Sequence, residues 1–439
     1  MFLLWRHLFG TWLYRPFPLM IIVAVVYHGL NELLLLIPGA DMGNMYRAGL
    51  DLSDVYLGAF VVSGGILIAS LAYLVALGHD GRRAHPDISG LQAAMRPLDW
   101  RLLLAVTIPL AVVTFSGRGY GGGVILDSRN MSFLEIIASA LFLVLVILTT
   151  FAFVMKHGRR SFIPAVAVQS VIVAACGQRL EVLLATVVIC MMVTAFTVAP
   201  TKRQLITVFL ISSLLVVSIT SVRAESDRVL FNSDTGLFQR VAGMGTALFD
   251  VTTVEGRAER GMLAQVTERF DANEWAGAVM HGLDTQEPMG GLGGVFTSLG
   301  LAVPTIINHS KLESGLSVLN NKWAQVYYFH LVPVDHLPGH FGLWLGLVGP
   351  WIYLPLMGVF GFAFAKLEKW TLRKASAARI ILFVLLAVGA LFYERGIPSM
   401  FVVLRYGIVL CPLAFWAQRV LQKLSAATMP IEPPSKCSK

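Results

Sequence analysis

The sequence predicts an all-α polytopic membrane protein of about ten transmembrane helices, ten to twelve with re-entrant segments, carrying one large outer loop. Three observations predict it. The 439 residues are 56% hydrophobic and only 14% charged, with a mean hydropathy of +0.71, whereas soluble domains are about one quarter charged. Apolar runs recur at lengths suited to a hydrocarbon core of about 30 Å, which takes roughly 20 helical residues to cross. Basic residues keep to alternate connections, as the positive-inside rule expects.

The runs fall at 17–37, 56–77, 101–116, 133–155, 161–176, 181–199, 204–221, 341–364, 379–393 and 399–418. The first lacks a small-residue cleavage site and is long enough to stay as an anchor. Those at 101–116 and 161–176 are short, which predicts thin or tilted helices packed inside the bundle. Basic clusters alternate along the chain: Arg6 and Arg15; Arg82 and Arg83; Lys156, Arg159 and Arg160; Lys202 and Arg203; Lys366, Lys369, Arg373 and Lys374; Arg419 and Lys423. Ten spans put all of these on one side, with both termini in the cytoplasm and the loop outside. The net charge of +8 therefore reports topology and gives no indication of nucleic-acid binding. Residues 1–221 form a membrane bundle of seven spans, 222–340 the loop, 341–420 three more spans and 421–439 a tail, where Pro430, Pro433 and Pro434 predict disorder.

The loop is acidic, with eight Lys and Arg against thirteen Asp and Glu, while the rest of the chain holds 26 against 13. Inside it, 257–283 predicts a helix, since Met262, Val266 and Phe270 recur four apart. Residues 289–307 are glycine-rich, apolar and too short to span; they predict an interfacial or re-entrant segment, which lipid tolerates only where protein covers the backbone. The cysteines, Cys176, Cys190, Cys411 and Cys437, show no CxxC spacing and predict neither a disulfide framework nor a zinc site. The glycine clusters at 117–123 and 290–294 lack the strand-then-helix setting of a nucleotide loop.

Outer arginines are the anomaly, because the topology rule depletes them there. Arg179 sits in a short hairpin beside Glu181, so a structural pair and an anion site both remain open. Arg223 enters the loop, Arg269 lies within it and Arg395 follows Glu394 between the last two runs. Arg405 lies about 9 Å inside its run at a rise of 1.5 Å per residue, where an unpaired charge costs a few kcal/mol. Guanidiniums at that depth suit a lipid-linked pyrophosphate, which Arg grips bidentately without losing its own charge. Five histidines lie in the loop: His281, His309, His330, His336 and His340. Only His336 and His340 adjoin the next run, in DHLPGHFG, where Asp335 can orient one of them for proton transfer. Candidate bases are therefore His340, His336 and Asp335, each weighed against an ordinary solvated loop side chain.

GQRLEVLLATVV at 177–188, TERFDA at 267–272, PGHFGLWLGLVGPWIYLPLMGVFG at 338–361 and YERG at 393–396 resemble segments of Wzy-type oligosaccharide repeat-unit polymerases, the O-antigen polymerases. The resemblance covers about the second half of the chain. It implies a C-type glycosyltransferase-like bundle in the bacterial inner membrane, with its site facing the periplasm. Donor and acceptor would be undecaprenyl-pyrophosphate-linked glycans, a chain-length regulator a partner, and no cofactor or metal would be required. His340 stands where the family often carries an acidic residue, and ten spans is slightly few. An O-antigen ligase acting on lipid A core would need similar residues. A transporter or flippase is the alternative from another class, although such proteins tend to show two related halves. The loop body is expected to be a lid that admits glycan, with the chemistry at its rim.

Overall fold

The computed structural model describes residues 15–35, 50–83, 100–116, 133–175, 179–196, 200–225, 272–284, 287–300, 339–373, 376–391, 393 and parts of 401–419. The described elements are helices, and no strand occurs among the described residues. In chain order they are α1 (Pro16–Leu35), α2 (Leu52–Arg83), α3 (Trp100–Ser116), α4 (Phe133–His157), α5 (Phe162–Ala175), α6 (Arg179–Phe196) and α7 (Lys202–Glu225). There follow α8 (Ala272–Leu283), α9 (Gly291–Gly300), α10 (Gly339–Arg373) and α11 (Ala377–Leu391). Helices overlie the long aliphatic runs because a helix satisfies its backbone polar groups within its own segment. Two of them, Leu52–Gly78 and Gly339–Leu372, are long and apolar enough to cross a membrane.

The helices pack around two main cores. One gathers Phe17, Tyr73, Trp275, Phe341, Tyr353 and Phe364 from α1, α2, α8 and α10. The other gathers Phe151, Phe162, Val188, Met192 and Phe383 from α4, α5, α6 and α11. The last helix divides its faces between them: Leu386 and Ala390 enter the first core, and Phe383, Val384 and Ala387 the second. Across α5, α6 and α7 the hydroxyls of Ser170, Thr186 and Ser212 form a buried trio, with Thr186 Oγ1 and Ser212 Oγ 2.7 Å apart. Such bonds hold helices together where apolar surface alone gives no preference for a neighbour.

Two outcomes differ from the expectations and one adds to them. The eighth run is not one rod, because α10 breaks at Gly349 (φ 70°, ψ 168°), a left-handed C-terminal position followed by Pro350 in the first turn of the next piece. The break divides it into α10a, residues 339–348, and α10b, residues 350–373. Residues 339 to 348 are buried throughout, whereas α10b exposes Trp351 at 90% and Val359 at 65%. At 1.5 Å per residue, 350–372 is about 35 Å long and could span the hydrocarbon core alone. The open carbonyls of Gly346 and Leu347 accept from the backbone of Met289 (3.3 Å) and Gly290 (3.2 Å), so the segment leading into α9 closes the end of α10a. The described part of the glycine-rich segment is helical from Gly291 to Gly300, burying Gly294 and Val295 while Leu292 (53%) and Phe296 (70%) stay exposed; 301–307 lies outside the described residues.

Second, the first described helix of the loop is packed into the bundle. Asn273, Trp275, Ala276 and Val279 of α8 are all at most 1% exposed. This helix crosses α2 so closely that a Cβ on Gly58 would collide with the backbone of Ala276 and Gly277. The first part of the expected helix, 257–271, lies outside the described residues. Third, shortness does not mean burial: α3 turns Val106 (48%) and Ile108 (54%) outward, and α5 turns Val168 (61%) outward.

At the start of α1 a charged knot is sealed into the first core. Glu368 and Arg15 are 0% and 1% exposed, with Arg15 Nη1 3.5 Å from Glu368 Oε1. Tyr73 donates to the same oxygen at 2.6 Å, and the backbone N–H of Phe17 donates to Glu368 Oε2 at 3.2 Å. Glu368 therefore caps α1 from α10b, supplying negative charge where the helix dipole favours it. Lys369 Nζ reaches the carbonyl of Leu77 at 3.3 Å, beside the break of α2 at Gly78.

Candidate functional site

A second polar cluster forms about 20 Å further along α1, at 1.5 Å per residue from Arg15 to His28. It joins α1, α8, the start of α10a and the chain just beyond α11. His28, Asn273, His340 and Tyr393 are 6%, 1%, 2% and 1% exposed. Asn273 Nδ2–H donates to the backbone carbonyl of His28 at 3.0 Å, which turns Asn273 Oδ1 toward His28 Nδ1 at 2.6 Å. An amide oxygen only accepts, so Nδ1 carries the proton and Nε2 of the neutral ring accepts. Its partner is the Tyr393 hydroxyl at 2.9 Å. The series runs Tyr393 O–H to His28 Nε2, then His28 Nδ1–H to Asn273 Oδ1, with every donor aimed by its neighbour.

The Tyr393 ring also shapes the other half of the cluster. It lies edge-on to His340, with centroids 5.4 Å apart at 80°, and 5.7 Å from Tyr27. Gly339 makes this fit possible: its φ is +67°, and a Cβ there would lie 2.5 Å from Tyr393 Cε1. His340 Nε2 is 3.0 Å from the carbonyl of Gly389, in the last turn of α11. A carbonyl only accepts, so His340 is an Nε2–H donor here, and in a neutral ring Nδ1 would be the basic nitrogen.

Of the residues singled out in the sequence, His340 therefore enters the cluster, beside the first residue of YERG. Arg405 is half-buried; its Nη2 is 3.5 Å from Tyr406 Oη, and its guanidinium lies 5.4 Å from the centre of that ring. The backbone of Arg179 opens α6 and that of Arg223 lies near the end of α7, while their side chains are outside the description. Glu181, two residues from Arg179, is 4% exposed. Asp335, His336, Arg269 and Arg395 lie outside the described residues, as do His309, His330, the glycine cluster at 117–123 and the tail. His281 ends α8 at 3.2 Å from Asp54 on α2 and is half exposed, a surface pair that tethers the helix.

Sequence reasoning missed His28, Asn273 and the role of Tyr393. A histidine inside an apolar run was the available signal for the first, because ionisable groups there are costly and usually partnered. Asn273 has no local signature beyond following TERFDA. Among the described residues, no three His, Cys, Asp or Glu side chains are grouped to hold a metal ion.

The fold and the cluster define a helical protein with helices fit to cross a membrane and a buried phenol–imidazole–amide series joining loop to bundle. No protein-family model, curated protein or solved structure matches the chain.

Proposed function

We propose that the chain is a polymerase joining undecaprenyl-pyrophosphate-linked oligosaccharide repeat units into O-antigen or a related surface polysaccharide. It would act at the periplasmic face of the bacterial inner membrane, as a C-type glycosyltransferase-like bundle of about ten spans with both termini cytoplasmic. One observation chiefly supports this: segments that carry the resemblance come together, since Gly339 and His340 of PGHFG touch Tyr393 of YERG, and Asn273 follows TERFDA by one residue.

In the transfer, a hydroxyl oxygen of the acceptor repeat unit attacks the anomeric carbon of the donor chain. The bond from that carbon to the pyrophosphate oxygen breaks, and undecaprenyl pyrophosphate leaves with the electron pair. Arg179, Arg223, Arg269, Arg395 and Arg405 supply the cations for the leaving group. The acceptor's proton goes to His340 through Nδ1, to His336 or to Asp335. Pyrophosphate is already a good leaving group, so the protein's task is charge stabilisation and alignment.

Deleting the gene and running the surface glycan on a gel tests the proposal. Loss of the long ladder with one repeat unit retained supports a polymerase, and loss of every attached unit supports a ligase. An unchanged ladder defeats both. Arg179→Ala, Arg395→Ala and Arg405→Ala should each abolish extension while the protein still reaches the membrane; normal ladders in all three refute the pyrophosphate clamp.

A further inference from the structure

We infer that His28 and Tyr393 are positioning residues of the proposed transfer site, acting through His340 and through the seat of the loop helix. The inference deepens the polymerase reading and rests on it. The direction of the Tyr393 hydroxyl is set, because His28 Nδ1 is committed to Asn273 and leaves Nε2 to accept from Tyr393 at 2.9 Å. The ring so held fills the space over Gly339 and stands edge-on to His340, which limits how that imidazole can turn about its bond to Gly389. Asn273 completes the link by bonding both the ring and the backbone carbonyl of His28, which fixes α8 in register on α1.

Apolar contact alone sets no direction for the side chains between these helices. A buried series of directional bonds adds orientation, since each member is satisfied only when its neighbours are in place. Here the orientation is delivered to the first turn of α10a, which bears a candidate base. A base serves an attacking hydroxyl only within hydrogen-bond reach, so the seat of the loop helix and the aim of His340 become one variable. Neither His28 nor Tyr393 needs to touch substrate for this.

Tyr393→Phe keeps the ring and removes the hydroxyl. In membrane vesicles supplied with the lipid-linked repeat unit, kcat should fall about tenfold while the donor KM stays within about twofold. Tyr393→Ala, which loses the ring as well, should fall further. Spectra of the full-length protein with 15N-labelled histidine should show His28 protonated at Nδ1 and His340 at Nε2, and the His28 Nε2 resonance should shift in Tyr393→Phe. Wild-type kcat in that variant, or His28 protonated at Nε2 alone, overturns the inference. If vesicles of the unmutated protein build no chain, the polymerase reading fails; a His28 resonance indifferent to Tyr393→Phe would then separately overturn the lock.

Discussion

The two buried polar clusters on α1 both join it to α10 but use opposite chemistry. The one at Arg15 is ionic: Glu368 accepts from a guanidinium, a phenol and a backbone N–H, and its charge stays buried because all three are aimed at it. The one at His28 is built from neutral groups, a phenol, an imidazole and an amide, whose hydrogen bonds run in one direction. Buried ion pairs contribute little net stability yet are costly to break by halves, so the first cluster makes a good anchor. A phenol–imidazole–amide series adds direction without a buried charge. Placed between loop and bundle, it suits a site whose groups must be held in one orientation.

The largest effect should come from unpairing the anchor. Glu368→Ala leaves Arg15 buried and uncompensated, at a cost of about 3–5 kcal/mol, and should show as lost folded protein and a lower thermal midpoint in detergent. Arg15→Met combined with Glu368→Met should restore most of that loss; failure to do so would mean the ionic cluster does more than hold helices. Next comes Gly58→Leu, which drives a side chain into the backbone of Ala276 and Gly277. Overpacking of this kind costs about 1–3 kcal/mol or more, and faster hydrogen exchange over 272–283 would register it.

One pair of matched substitutions sharpens the contrast. Tyr73→Phe removes a donor from Glu368 and should cost about 1–3 kcal/mol of stability, with turnover per folded molecule unchanged. Tyr393→Phe should do the reverse, moving the thermal midpoint little and turnover much. If both variants lose stability alone, the two clusters are equivalent anchors. The smallest effect belongs to His281→Ala: its half-exposed pair with Asp54 is worth at most about 1 kcal/mol, so the midpoint should barely move.

Helix positions were legible because runs such as 133–155 and 379–393 are predominantly apolar, and a helix is the local solution to an apolar environment. The break at Gly349 was not, since Gly-Pro within an apolar run leaves hydropathy unaltered while changing the direction of the chain. Glu368 lies among the basic residues Lys366, Lys369, Arg373 and Lys374, and nothing local marks it; only the arrival of Arg15, 353 residues away in sequence, makes it a core residue. His340 stood out in the sequence by adjoining an apolar run, and the structure places it beside Tyr393. His28 and Asn273 were not paired by anything local, because 245 residues separate them.

The cap on α1 also sets an order of events. The Phe17 backbone N–H donates to a carboxylate 351 residues later, which at 5–20 residues per second emerges about 20–70 s after it. During that interval the first helix has no Glu368 at its end, and Arg15 has no buried counter-charge to draw it inward. Its uncompensated charge would keep the start of the helix at the cytoplasmic surface in the proposed topology. Closure waits for α10b, so a chain truncated before residue 368 should leave α1 frayed at its first turn however well its apolar face is packed.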